Sequence, residues 1–239
     1  MAIILSLETS EKSCSVALSN GAEILGVLES TNEKSHASML TVLIDKLLKT
    51  HQIAMNSLDA VAISKGPGSY TGLRIGVSTA KGICFGLKIP LIAINTLEII
   101  CLRFFKSDYA IKSKLSESDG ILCCPMIDAR RMEVYRQLFD NKANIVSPIT
   151  AEEINSNSFS DVLGSKKVYF VGSGSNKLKN IINNENALFV DEIYPNAYYM
   201  SELAFSIYTQ QKFEDVAYFE PYYLKDFVAT VPKKKVLSF

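Results

Sequence analysis

The stretch 65–83 contains the residue types of a loop that binds an anion or a partner protein. It reads KGPGSYTGLRIGVSTAKGI and follows a short apolar run at 61–63. A strand, a glycine-rich loop and a helix start present backbone N–H groups to an anion or a carboxylate, although the spacing matches neither a Walker loop nor GxGxxG. The predicted loop and partner-binding residues are Lys65, Gly66, Pro67, Gly68, Tyr70, Thr71 and Arg74. The alternative is a loop that is merely tight.

Two predicted helices carry the pattern of a partner surface. Small residues recur every four positions after the loop, which lets a second backbone approach closely, and the apolar arc of the helix at 36–50 is about 180° wide. One core contact needs a stripe of only about 100°. The residues predicted to face a second chain are His36, Met39, Leu40, Leu43, Leu47, Gly72, Gly76 and Ala80. The alternative is a helix buried unusually deeply in its own domain.

Composition places the chain among ordinary globular proteins. It has 239 residues, 48% of them hydrophobic, and a formal net charge of zero, so no overall charge attracts it to nucleic acid or lipid. No apolar run reaches the roughly 18 residues of a membrane span, and the start of the chain lacks the basic region of a signal peptide. The five cysteines show no C-x-x-C spacing, which favours reduced core residues. We therefore expect a cytoplasmic protein with no membrane contact.

The chain is predicted to repeat one order of elements. The first half reads as strands at 2–9, 14–19, 22–29, 58–64 and 90–95, with helices at 36–50, within 65–87 and at 96–106. The second half reads as strands at 120–127, 132–140, 143–149, 167–171 and 187–190, with helices near 151–155, at 176–184 and at 197–211. This predicts an α/β fold of two halves, each βββαβαβα with a mixed sheet flanked by helices. The polar stretch 106–119 predicts domains at 1–106 and 107–239, with the C-terminal helix packing back on the first domain.

This order of elements resembles the actin, sugar-kinase and heat-shock ATPase superfamily, whose halves are ribonuclease H-like. Within it, the segments 5–18, 65–83 and 127–135 resemble the TsaB (YeaZ) family. The resemblance implies an accessory partner and scaffold of TsaD, the enzyme that transfers a threonylcarbamoyl group to adenosine 37 of tRNAs reading A-starting codons. It also implies work with the small ATPase TsaE, contact with tRNA through the complex, and a homodimer when TsaD is absent.

The same resemblance implies a nucleotide site, because the first hairpin of the superfamily wraps phosphates. The residues at that place are Glu8, Thr9, Ser10 and Ser13, and in the second half Arg130 stands in a turn without glycine. The side chain of Arg130 is expected to bind an anion from one side. The alternative is a plain polar turn. We expect no cofactor of this chain's own, with ATP or ADP possible at an interface shared with the partner.

Catalysis by this chain is not expected. TsaD holds its metal with an H-x-x-x-H pair, and the corresponding place here carries Thr96 and Ile100. Neither residue replaces imidazole, and a catalytic metal needs about three protein ligands. The resemblance therefore predicts a non-enzymatic accessory subunit with no metal site. A stand-alone small-molecule kinase or ATPase of the actin-like plan is the alternative.

Overall fold

The computed structural model describes residues 1–30 and 36–224. The strands of its first sheet are β1 (Ile3–Glu8), β2 (Cys14–Asn20), β3 (Glu23–Ser30), β4 (Ala60–Gly66) and β5 (Leu91–Asn95). Their order in the sheet is β3-β2-β1-β4-β5, with β1 antiparallel to β2 and parallel to β4. Each strand overlaps one predicted from the sequence. The carboxyl ends of β1 and β4 lie side by side and bring the hairpin turn next to the glycine loop.

Three helices accompany this sheet: α1 (His36–Thr50), α2 (Tyr70–Leu87) and α3 (Thr96–Phe105). Ser69 caps α2 and Asn95 caps α3, each accepting a hydrogen bond from a backbone N–H of the first turn. Because side chains alternate along a strand, Leu5 and Leu7 pack under α1 and α2 while Ile4 faces the opposite side of the sheet. The strands are therefore buried on both faces.

The second sheet repeats the topology of the first. Its elements are β6 (Ile121–Asp128), β7 (Glu133–Arg136), β8 (Phe139–Asp140), β9 (Thr150–Glu153), β10 (Lys167–Val171) and β11 (Ala187–Val190), with short helices α4 (Asp108–Lys112) and α5 (Ser160–Leu163). The sheet order is β11-β10-β6-β7-β9, with β8 attached to β6. Strands β6, β7, β9, β10 and β11 thus stand where β1, β2, β3, β4 and β5 stand in the first sheet. The predicted class, two related α/β halves with mixed sheets, is confirmed.

Three element predictions for the second half are wrong. The segment near 151–155 is not a helix but strand β9, which pairs antiparallel with β7 and places Glu152 opposite Val134. The Glu152 carboxylate also forms an ion pair with Arg136 of β7, at 2.6 Å. The segment 143–149 forms no strand beyond a single bridge at Ile145. The helix at 176–184 is reduced to a 3-10 turn at Ser175–Lys177 and further turns. Its asparagines favour turns over helix interior because their side chains compete for backbone hydrogen bonds.

Helix α3 lies between the two sheets. Ile99 packs against the first sheet, whereas Ile100, Cys101 and Phe104 pack into the core of the second. The last helix, α6 (Ser201–Thr209), follows a 3-10 turn at Ala197–Met200 and also packs on the first sheet.

That face of the first sheet forms one buried apolar cluster with α6. The cluster contains Ala2, Ile4, Ala17, Ala60, Ala62, Ile92, Ile94, Ile99, Ala197, Met200 and Ala204. The C-terminal third of the described chain thus covers a face that the first 106 residues leave open. A domain boundary at 106/107 stays a prediction.

Candidate functional site

The glycine loop closes on the hairpin turn of the same chain. Thr9 Oγ1 donates to the carbonyl of Gly72 at 2.8 Å, and the N–H of Ser69 donates to the carbonyl of Ser10 at 2.6 Å. A Cβ on Gly72 would lie 2.1 Å from the carbonyl oxygen of Thr9, and one on Gly68 would lie 2.4 Å from that of Ser10. Glycine is required at both positions because a backbone already occupies the space. These contacts are those of a tight internal loop, which is the alternative to a loop that binds an anion or a partner protein.

The small-residue row on α2 also faces inward. Gly76 and Ala80 are buried, and a Cβ on Gly76 would lie 2.2 Å from Thr9 Oγ1 and 2.8 Å from Ile63 Cδ1. The prediction that this row contacts a second chain is wrong, since the space beside it is filled by Thr9, which follows β1, and by Ile63 of β4. The spacing of Gly72, Gly76 and Ala80 indicates that another segment packs closely against α2, but it does not show whether that segment belongs to the same chain or to a second chain.

The apolar residues of α1 belong to the same core. Leu40, Leu43 and Leu47 are 0%, 6% and 1% exposed, and Met39 packs partly buried against them. The three leucines are therefore not partner-facing, and the deeply buried helix is the correct interpretation. The side chain of His36 lies outside the described residues.

The outward faces of α1 and α2 carry a different set of residues. Phe85 of α2 is 81% exposed and Val42 of α1 is 53% exposed. Gly82 and Gly86 of α2 have no atom within 4 Å of an added Cβ. Arg74 lies on the same exposed side of α2. The sequence shows the wide apolar arc of α1. It does not single out Phe85 and Gly82, because their exposure is apparent only when the buried face of α2 is known.

A C-terminal strap, residues 214–223, crosses the predicted loop. The N–H of Tyr222 donates to the carbonyl of Lys65 at 2.7 Å, and Glu214 bridges to Leu91. Lys81 of α2 donates to the carbonyls of Ala217 and Phe219 at 3.0 and 2.9 Å. The strap therefore ties the end of the described chain to β4, β5 and α2.

The strap also engages the first turn of α2. The rings of Tyr70 and Tyr223 lie 5.0 Å apart, and the Arg74 guanidinium lies 4.9 Å from the Tyr70 ring centre. Thr71 is exposed beside them. Of the predicted loop residues, Lys65, Tyr70 and Arg74 thus contact or adjoin the strap, while Gly66 and Pro67 are buried beneath it. The clustering of tyrosines late in the sequence was the only signal of this contact.

The hairpin turn after β1 contains hydrogen bonds between its own residues. Glu8 Oε1 accepts hydrogen bonds from the N–H and the hydroxyl of Ser10, at 2.6 and 2.5 Å. Glu8, Thr9 and Ser10 are buried, and Ser13 is partly buried at the start of β2. Of the groups predicted to wrap phosphate, Glu8 and Ser10 therefore bind each other, as in a polar turn, and Thr9 binds Gly72.

The hairpin turn faces two loops of the second half. Asp128 at the end of β6 accepts a hydrogen bond from the N–H of Arg130 at 2.6 Å and an ion pair from Lys177 at 2.7 Å. The N–H of Asp128 donates to Ser173 Oγ at 3.0 Å, and that hydroxyl donates to Glu11. Arg130 is exposed and its backbone has a φ of 71°. Nucleotide binding stays a prediction without support from this geometry.

The position at which the resemblance implies a metal in TsaD is fully buried here. Thr96 and Ile100 of α3 are both 0% exposed, and residues 1–30 and 36–224 contain no group of three or more His, Cys, Asp or Glu side chains placed to hold a metal. Beside them, burial raises the pKa of Glu98, which Lys65 partly offsets.

The cysteines are poor nucleophiles at neutral pH. All five are buried, and burial raises the pKa of Cys14 and of Cys84 to about 11. The thiolate, which is the reactive form, is therefore scarce at Cys14 and Cys84.

None of the helices described is both long and apolar enough to cross a bilayer.

The fold is that of an α/β protein with two mixed sheets, the second of which repeats the strand order of the first. The family model described as "TsaD: tRNA N6-adenosine threonylcarbamoyltransferase" matches residues 15–234, so the chain belongs to that wider family. A TsaB protein of Buchnera aphidicola subsp. Schizaphis graminum is 32% identical over 202 residues, covering 82% of this chain and 89% of that protein. Within the wider family, the chain belongs to the TsaB family, as the sequence resemblance indicated.

Two further comparisons agree with this assignment. The Haemophilus influenzae protein named "tRNA threonylcarbamoyladenosine biosynthesis protein TsaB" is 29% identical over 232 residues, 93% of each chain. The solved structure "YeaZ from Pseudomonas aeruginosa" covers 94% of this chain and 100% of its own, with a TM-score of 0.75 at 22% identity. The second comparison confirms the fold.

Proposed function

We propose that this chain is the non-catalytic accessory partner of a TsaD enzyme in forming threonylcarbamoyladenosine at position 37 of tRNAs that read A-starting codons. The observation that carries the proposal is the similarity, along nearly the whole chain, to proteins named for the biosynthesis of that nucleoside. The identities of Thr96 and Ile100 support the non-catalytic part, since neither side chain replaces an imidazole ligand. A stand-alone kinase is not favoured, because the turn at 128–131 carries two arginines and no glycine, which leaves little room for phosphate to approach its backbone.

We place the TsaD contact on the outward faces of α1 and α2. Phe85 is a large apolar side chain with 81% exposure, and Gly82 on the preceding turn leaves open space beside it. A ring next to bare glycines suits close packing against another helix, and Val42 extends the apolar surface onto α1. Because TsaD matches the same family model, a pseudo-symmetric pairing through equivalent helices is the expected geometry, with a self-pair when TsaD is absent.

The remaining components follow from the same role. TsaE and tRNA bind to the complex of this chain with TsaD, and ATP or ADP binds at the interface between this chain and TsaD. The site of action is the cytoplasm, where tRNA is modified.

The test of the surface is Phe85→Asp, which places a charge where an apolar contact is proposed. Co-elution with TsaD on size-exclusion chromatography is expected to be lost, together with modified tRNA in a reaction containing TsaD and TsaE, while the melting curve of the isolated protein is unchanged. The matched control is Ile111→Asp on α4, which is 61% exposed and lies away from α1 and α2. Retained co-elution with Phe85→Asp, or equal loss with Ile111→Asp, would reject this surface.

The accessory role has its own test. The purified chain is expected to hydrolyse no ATP in the absence of TsaD and TsaE, with magnesium present. Sustained, metal-dependent turnover by the chain alone would replace the accessory role with the kinase or ATPase alternative.

A further inference from the structure

The exposed residues of α2 form one continuous stripe along the helix. They are Thr71, Arg74, Ser78, Gly82, Phe85 and Gly86. Because each residue turns the helix by about 100°, these positions fall within an arc of about 120°. Arg74 and Phe85 lie about 16 Å apart along the helix axis. The stripe therefore has an apolar end at Phe85 and a cationic end at Arg74.

The strap is fixed alongside this helix by contacts that involve its backbone. Lys81 of α2 donates to two carbonyls of the strap, at 3.0 and 2.9 Å. The N–H of Tyr222 donates to the carbonyl of Lys65 at 2.7 Å. These hydrogen bonds set the path of the strap and bring Tyr223 to the first turn of α2, where its ring lies 5.0 Å from that of Tyr70. Tyr223 is thus held at the cationic end of the stripe.

The side chain of Arg74 is held by two tyrosines and by no acid. Its guanidinium lies 4.9 Å from the centre of the Tyr70 ring and donates a hydrogen bond to the Tyr223 hydroxyl. Although Glu220 adjoins Tyr223 in the strap, Arg74 forms no ion pair with any acid of residues 1–30 and 36–224. A guanidinium has five N–H donors, so an exposed, oriented Arg74 retains donors for a partner.

We infer that the strap completes the surface for TsaD, because Tyr223 orients Arg74 for a hydrogen-bonded ion pair with a carboxylate of that protein. This inference rests on the TsaD contact proposed above for the outward faces of α1 and α2. The planar fork of a guanidinium matches the two oxygens of a carboxylate. Arg74 makes the contact, and Tyr223 is a positioning residue that acts through Arg74.

The surroundings of Arg74 favour a protein carboxylate over an RNA phosphate. Protein interfaces have an apolar centre and a polar rim, and Arg74 lies at the end of a stripe that contains the exposed ring of Phe85. Surfaces that bind nucleic acid are strongly positive, whereas the strap carries Glu214, Asp215 and Glu220. The strap therefore suits a contact in which one oriented cation meets one acidic side chain.

Orienting Arg74 before binding should increase affinity for TsaD. Ordering a long side chain during association lowers affinity roughly 2- to 12-fold, and the contacts with Tyr70 and Tyr223 order Arg74 in the free chain. Loss of the Tyr223 hydroxyl removes one of these two contacts. The expected cost is therefore smaller than that of removing the guanidinium itself.

The test measures the Kd of the full chain for TsaD by isothermal titration calorimetry. Arg74→Ala is expected to weaken binding about tenfold. Tyr223→Phe keeps the stacked ring but loses the hydroxyl, so it is expected to weaken binding about threefold, with no further effect when combined with Arg74→Ala. The matched control is Tyr218→Phe, because Tyr218 lies on the same strap and is 85% exposed. Its affinity should be unchanged, and the melting temperatures of both tyrosine variants should equal that of the unmodified chain.

A cross-linking experiment identifies the group that Arg74 contacts. Arg74→Lys introduces a primary amine at this position, and a carbodiimide condenses an amine with an adjacent carboxylate into an amide while the reagent takes up the water as a urea. With TsaD present, mass spectrometry is expected to find an amide between position 74 and an Asp or Glu of TsaD. This experiment uses a variant with the charge intact, so it decides the question if Arg74→Ala does not fold.

The outcomes separate this inference from the accessory role. Equal affinity of Tyr223→Phe and Tyr218→Phe for TsaD, or an additive loss in the double variant, would overturn the positioning role of Tyr223. Unchanged TsaD affinity of Arg74→Ala together with weaker tRNA binding would assign Arg74 to a phosphate and overturn the carboxylate. Absence of any binding between the unmodified chain and TsaD would reject the proposed function itself, and this inference with it.

Discussion

Replacing Gly72 by alanine should destabilise the protein, although alanine is the better helix former. The added Cβ would lie 2.1 Å from the carbonyl oxygen of Thr9, and that oxygen cannot move away without shifting the end of β1. Forcing a methyl group into a packed interior costs about 1–3 kcal/mol. Gly72 lies in the first turn of α2, where the gain in helix propensity is small. We expect a net loss of about 2 kcal/mol in the free energy of unfolding.

Gly82→Ala on the same helix is the matched control. Nothing lies within 4 Å of its added Cβ, so the variant should gain the roughly 1 kcal/mol by which alanine exceeds glycine in a helix interior. The two variants should therefore differ by about 3 kcal/mol in urea unfolding at equal m-value, or by about 6–12 °C in melting temperature for a chain of this size. Equal stability of the two variants would refute the argument that Thr9 fills the space beside Gly72.

Two further predictions separate the core from the surface. Leu47→Ala should lower the free energy of unfolding by about 2–5 kcal/mol, since Leu47 is 1% exposed. The folded fraction should still bind TsaD, and a selective loss of binding would return Leu47 to the partner surface. Arg74→Ala should cost about 1 kcal/mol, because Arg74 is exposed and its contacts with the rings of Tyr70 and Tyr223 lie at the surface. It should nevertheless lower the yield of modified tRNA in the reconstituted reaction, and a normal yield would remove Arg74 from the functional surface.

The first half was predictable because each of its elements has a strong local signal. Asn20-Gly21 marks the hairpin between β2 and β3, and Ser69 precedes α2 where a cap is expected. The second half lacks such signals. Its strand β9 is rich in glutamate, and its conformation depends on pairing with β7, to which the ion pair of Glu152 with Arg136 contributes.

The candidate site was harder to predict than the fold. The spacing of Gly72 and Gly76 indicates that a backbone comes close, but a hairpin turn of the same chain satisfies that requirement as well as a second chain does. Likewise, the acidic and hydroxyl residues at Glu8 and Ser10 suit a phosphate loop until their mutual hydrogen bonds are seen. The strap has no periodic pattern, because its contacts are made through backbone carbonyls such as that of Phe219.

The position of α6 and the strap affects how the nascent chain can fold. During synthesis the strands of the first sheet leave the ribosome well before Ala197, Met200 and Ala204, which cover one face of that sheet. The hydrogen bond from Lys81 to the carbonyl of Phe219 forms later still, because Phe219 lies 138 residues further along the chain. Until those residues emerge, the sheet displays an uncovered apolar face, which is the kind of surface that attracts chaperones or aggregates. The N-terminal half therefore completes its fold only after translation of the C-terminal third.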